Sequence, residues 1–93
     1  MVILIAYDLN KPGKDYSALY TAIRNISGVR WHRLSSVWLI ETQLTPQQIT
    51  QALKPFIDQN DELFVVRLYN QYDGYFPPIE TQEARDWLRA RMF

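Results

Sequence analysis

The 93-residue sequence is 47% hydrophobic and 14% aromatic, carries no net formal charge, and contains no cysteine. That composition supports a small packed domain and excludes disulfides, thiolate metal sites and cysteine nucleophiles, a pattern that suits a cytoplasmic protein. Neutrality is poor for coating DNA non-specifically, and no apolar run approaches the ~20 residues that cross a bilayer, so no membrane partner is expected.

Val2 to Tyr7 is an uninterrupted apolar run, short enough for a central strand buried on both faces. It lacks a basic flank and reads as a strand, not a signal peptide. The segment DLNKPGK then supplies turn residues. From Asp15, the residues Tyr16, Leu19, Tyr20, Ile23 and Ile26 recur at helical spacing, and Gly28 is placed to end the helix. VRWHRLSSVWLIET holds two strand-like pieces meeting at Ser35 and Ser36, which make either a hairpin or one long bent strand.

Thr45, Pro46 and Gln48 give an N-cap, a first helical residue and a capping box. Ile49, Ala52, Leu53, Phe56 and Ile57 supply that helix with an apolar stripe. Pro55 removes an N–H donor and predicts a kink or partial break near Gln51 to Lys54. DQND is a loop, and Leu63 to Tyr69 reads as a second central strand. A short extra strand is expected at Tyr72 to Phe76. Glu80 to Met92 reads as a helix with Ala84, Trp87, Leu88 and Met92 on one side.

The order β-α-β-β-α-β predicts an α+β, ferredoxin-like domain: a four-stranded antiparallel sheet with both helices on one face. Residues 1–78 make this domain, and residues 79–93 form a C-terminal helical tail belonging to it. The opposite sheet face must be wet, covered by the tail, or paired with another subunit. Strands this apolar favour cover, so a homodimer is expected.

Asp8 is the most informative side chain. A carboxylate at a strand end beside a loop and basic groups suits a hard cation such as Mg²⁺. One carboxylate is too few for a tight site, but two copies related by a twofold axis supply two. Equally, Asp8 caps the loop by accepting backbone N–H bonds. Lys11 and Lys14 flank Pro12-Gly13 and are either phosphate contacts or solvated loop charges. Arg30 and Arg33 around Trp31 make a basic-aromatic patch that either binds nucleic acid or packs within a sheet face.

Residues 1–36 hold five basic and two acidic side chains, net +3, whereas residues 37–93 hold net −3. Any nucleic-acid surface therefore draws mainly on the N-terminal half. His32 is the sole histidine, without a cluster at zinc spacing; it is either a general base or, as is more usual for a lone strand histidine, structural. Ser35 and Ser36 lack an activating His/Asp arrangement and read as turn residues. Asp58, Asp61 and Glu62 read as a solvated turn.

VILIAYDL, with its Tyr-Asp ending, resembles the first strand of the Cas2 family of CRISPR-associated proteins. HRLSSVWLIETQL resembles that family's second signature, and TPQQITQALKPFI and ELFVVRLY follow in the expected order. The likeness spans about residues 1–70 and extends to stand-alone Cas2-like proteins. It implies a ferredoxin-like homodimer in which the paired strand-end carboxylates, here Asp8, hold Mg²⁺ and catalyse RNA or DNA cleavage, supported by Tyr7 and Ser36. The loop LNKPGKD after Asp8 departs from the arginine-rich loop often found there. The competing expectation is a non-catalytic dimeric module that binds nucleic acid or a protein partner in CRISPR adaptation, another defence system or a toxin–antitoxin pair.

Overall fold

The computed structural model describes residues 1–11, 13–28, 30–69, 86, 87, 90 and 91, without the side chains of Trp31, Arg33 and Leu34. The expected extra strand at Tyr72 to Phe76, and Ala84, Leu88 and Met92 of the expected tail helix, lie outside these residues. The elements run β1 (Val2–Asp8), α1 (Ser17–Ile26), β2 (Arg30–Leu34), β3 (Val37–Glu41), α2 (Pro46–Leu53), a 3-10 turn (Lys54–Phe56) and β4 (Glu62–Leu68). The protein is thus a small α+β fold.

β1 pairs antiparallel with β3 on one side and with β4 on the other. β2 joins the outer edge of β3 through Arg30↔Ile40, Trp31↔Leu39 and Leu34↔Val37, with a register shift between the last two pairs. The order β2-β3-β1-β4 is compatible with a ferredoxin-like arrangement. The Ser-Ser segment is a hairpin turn and not a bend in one strand, because β2 and β3 pair back on themselves across Ser35 and Ser36.

Strand alternation sorts the side chains onto two faces. Ile3, Ile5 and Tyr7 of β1 and Trp38 and Ile40 of β3 meet Leu19 and Ile23 of α1 and Ile49 and Leu53 of α2. Both helices therefore cover this one face. On the other face Val2 and Leu39 pack with Leu4, Leu68 and Trp87. Asp86, Trp87, Ala90 and Arg91 have helical backbone. Arg91 Nε donates to Glu41 Oε2 at 2.9 Å, which ties this segment to the end of β3.

Thr45 and Gln48 form the expected capping box, with bonds of 3.2 and 2.9 Å running in both directions. The break expected near Gln51 to Lys54 falls at its C-terminal end: the α-helix stops at Leu53, and Pro55 sits in the 3-10 turn that follows, where its missing N–H costs no ladder bond. Two other local expectations are corrected. Gly28 does not end α1 through a left-handed residue; Ser27 leaves in extended geometry and its hydroxyl donates to the Glu41 carbonyl at 2.7 Å. Among the described residues β4 is an edge strand where a central one was expected, and its Phe64 is 63% exposed. Its apolar run places apolar residues on both of its faces, and among the described residues one of its edges, that towards β1, is paired.

Candidate cation and nucleic-acid site

Asp8 is the last residue of β1 and is exposed. Alternation places it with Val2, Leu4 and Ala6, on the face away from the helices. Its partner in the β1–β4 ladder is Glu62, the first residue of β4. Paired positions carry Cβ atoms about 4.5–5.5 Å apart, so two carboxylates occupy one corner of that face. The sequence reading placed Glu62 in a solvated turn and missed its pairing with Asp8, which only the β1–β4 register reveals.

Loop capping falls to Asp61, not Asp8. Asp61 Oδ1 accepts the Asn10 amide at 2.6 Å, and Oδ2 accepts the Asp58 amide at 2.7 Å. The Tyr16 hydroxyl lies 2.8 Å from both carboxylate oxygens. Burial alone would raise the Asp61 pKa; these bonds outweigh it and hold the carboxyl below its ordinary range. Asn10 Nδ2 also donates to the Asn60 carbonyl at 3.0 Å, which closes the β1–α1 loop onto the turn before β4. Among the described residues, the Asp8 side chain takes no part in any hydrogen bond or ion pair, whereas its main-chain carbonyl accepts from Asn10 Nδ2 at 3.4 Å. The expected solvated turn is therefore an organised clasp. Its main contact spans 51 positions, and no local pattern announces it.

The lysine loop is partly committed. Lys11 Nζ pairs with Asp58 Oδ2 at 3.2 Å, and this contact first of all lowers the Asp58 pKa. Lys14 Nζ lies 5.0 Å from the centre of the Tyr16 ring. Both lysines follow directly from the strand that ends in Asp8.

Tyr7 and Ser36 come together as expected, though through the backbone. The Tyr7 amide donates to the Ser36 carbonyl at 3.1 Å, extending the β1–β3 ladder into the hairpin turn. The Tyr7 hydroxyl donates to the Ser35 carbonyl at 3.3 Å and accepts the Trp38 indole N–H at 2.9 Å. Burial is the main cause of its raised pKa. Tyr7 points into the helix-covered core, so it braces the strand end from the side opposite Asp8.

Arg30 is exposed at the start of β2, in register with Ile40 and hence with Ile3. That places it about 17 Å from Asp8 along the strands and two strands across. Arg30 and Asp8 therefore occupy different corners of the sheet. The side chains of Trp31 and Arg33 lie outside the described residues. His32 is exposed, stacks on Trp38 with ring centroids 3.8 Å apart, and sets Nε2 3.3 Å from the Ser35 carbonyl. Arg24 of α1, which sequence reasoning did not single out, lies 5.7 Å from the centre of the same indole.

Among the described residues no group of three or more His, Asp or Glu is placed to hold a metal ion. One chain thus offers Asp8 and Glu62 and must draw further ligands from elsewhere. No helix among the described residues is long and apolar enough to cross a membrane. No protein-family model matches the chain.

Proposed function

We propose that the chain is a homodimeric, Mg²⁺-dependent endonuclease of the Cas2-like kind, acting on RNA or DNA with Asp8 as its metal-binding catalytic residue. The observation that carries this reading is the uncommitted Asp8 carboxylate, opposite Glu62 at the rim of a sheet face that is only partly covered. Leu4, Ala6, Val37 and Val66 are half-buried there, and Phe64 stands exposed. A second copy set on that face would bury this apolar surface and bring a second Asp8 to the first.

Carboxylate oxygens are the donors that a hard divalent cation takes, so Asp8 and Glu62 fit Mg²⁺ as a partial shell. When bound, such a cation stabilises charge on a phosphodiester and activates water for attack. The protein's own part is to hold Asp8 on a rigid strand. Tyr7 fixes the strand end to the hairpin turn, and the Asp61 clasp keeps the lysine loop beside it. Lys14, and Lys11 on release from Asp58, would attract the phosphate backbone.

Cleavage of mixed RNA and DNA in Mg²⁺ or EDTA tests the proposal. Asp8→Ala should abolish the Mg²⁺-dependent cleavage while fold and dimer persist; equal cleavage by the variant rejects it. The sparse ligand set favours one alternative, a dimeric module that binds nucleic acid or a protein partner without chemistry. That reading predicts no EDTA-sensitive hydrolysis of any substrate.

A further inference from the structure

We infer that the α1–β2 edge binds single-stranded nucleic acid, with Arg24 and Arg30 on the phosphates and the His32 ring as a base-stacking platform. This surface rests on the nucleic-acid half of the proposed function, but it is separate from the Asp8 corner and needs no metal.

The charge pattern is the first support. From Tyr16 to Ile40 the sequence contains no Asp or Glu, yet it holds Arg24, Arg30, His32 and Arg33. Arg24, Arg30 and His32 are exposed, and among the described residues Arg24 and Arg30 make no ion pair. The acid that follows this stretch, Glu41, is engaged by Arg91 at 2.9 Å. A one-sign strip of this kind selects an anionic partner.

The geometry is the second. Arg24 and His32 come from different elements but lie against one indole, Trp38, which is 1% exposed and anchored through its N–H to Tyr7. The buried ring fixes the guanidinium and the imidazole relative to each other, which reduces the ordering cost of binding. β2 then carries the strip from Arg30 towards the hairpin turn, about 13 Å along the strand.

His32 decides between anionic partners. One face of its ring stacks on Trp38, and the residue is exposed. An exposed flat ring beside arginines suits an unstacked base; an acidic peptide has no use for it. A duplex, with its bases stacked inside, gains nothing from such a platform either.

Fluorescence anisotropy with a short labelled single-stranded oligonucleotide, in EDTA, tests the inference without any cleavage. Arg24→Ala with Arg30→Ala should weaken binding about 25-fold at 0.1 M salt. The slope of log affinity against log salt should shrink by about 1.4, the value for two phosphate contacts on a single strand. His32→Ala should weaken binding about 5-fold or more at every salt concentration, as loss of one stacked base requires. Circular dichroism checks that these surface variants remain folded. Unchanged affinity and slope in the double arginine variant overturn the inference, as does a wild-type protein that binds no oligonucleotide. Displacement by polyglutamate as effective as by unlabelled oligonucleotide overturns it in favour of an acidic protein. Binding as predicted with no Mg²⁺-dependent cleavage leaves this surface standing and removes only the nuclease.

Discussion

Asp8 and Glu62 stand opposite one another in the β1–β4 ladder, two carboxylates at the strand ends with no cation among the described side chains paired to either. Like charges in this position repel, and a divalent cation between them relieves the repulsion. In EDTA, Asp8→Asn should therefore stabilise the protein slightly, by about 0.3 kcal/mol given solvent screening. Adding Mg²⁺ or Mn²⁺ should raise the melting temperature of the wild type and leave that of Asp8→Asn unmoved. Thermal melts with and without the ions check both.

Tyr7 accepts the buried indole N–H of Trp38. Tyr7→Phe keeps the ring but strands that donor, at a cost of about 1–3 kcal/mol in urea unfolding. Burial raises the Tyr7 pKa above its ordinary 10.0. The neutral phenol is thus favoured in the folded state. Its stabilisation is complete below pH 10.0 and is lost as pH rises through the higher folded value. Tyr7→Phe should remove part of the alkaline loss of stability, measured as unfolding midpoints on either side of pH 10.

Asp58 and Asp61 have the opposite sign. The Lys11 contact lowers Asp58, and the hydrogen bonds at Asp61 outweigh its burial, so both carboxyls lie below their ordinary 3.8. The stabilisation they give is present above that value and lost as pH falls through the lower folded values. The clasp between the lysine loop and the turn before β4 should open in acid. The protection of the Asn10 and Asp58 amides, measured as exchange relative to the intrinsic rate at each pH, should fall there, and Asp61→Asn should show low protection already at neutral pH.

Helix α2 separates local from tertiary stabilisation. Thr45→Ala removes one arm of the capping box and should cost about 1 kcal/mol. Leu53 has no exposed surface and packs in the main core, so Leu53→Ala should cost about 3 kcal/mol. Denaturant midpoints of the two variants, at unchanged slope, give the comparison.

Where local chemistry dominates, the fold was legible. The Thr45–Gln48 box, the amphipathic face of α1 and the unbroken run of β1 each announce one element from neighbouring residues alone. Hydropathy did not reveal the edge position of β4, because a strand with two apolar faces has the same pattern whether one or both of its edges are paired. Gly28 shows the limit of residue preference: the chain turns out of α1 through Ser27, whose hydroxyl finds the Glu41 carbonyl 14 positions away.

The candidate site divides along the same line. Asp8 is conspicuous as a charge ending an apolar strand, and Arg30 as one member of a basic run. Glu62 reaches Asp8 only through strand register, and Arg24 meets His32 only through the buried face of Trp38. The Asp61 clasp depends on loop closure between residues 10 and 61. Such relationships belong to the packed chain and leave no mark on either segment by itself.

The proposed function rests on one Asp8 from each of two copies sharing a divalent cation. Mn²⁺ titration followed by electron paramagnetic resonance, with the protein's mass in solution measured in parallel, tests it most directly. One tightly held Mn²⁺ per two chains in a dimer is expected, with loss of that ion in Asp8→Ala while the dimer stays intact. Mn²⁺ held equally by the variant, or a wild-type monomer that binds none, would contradict it.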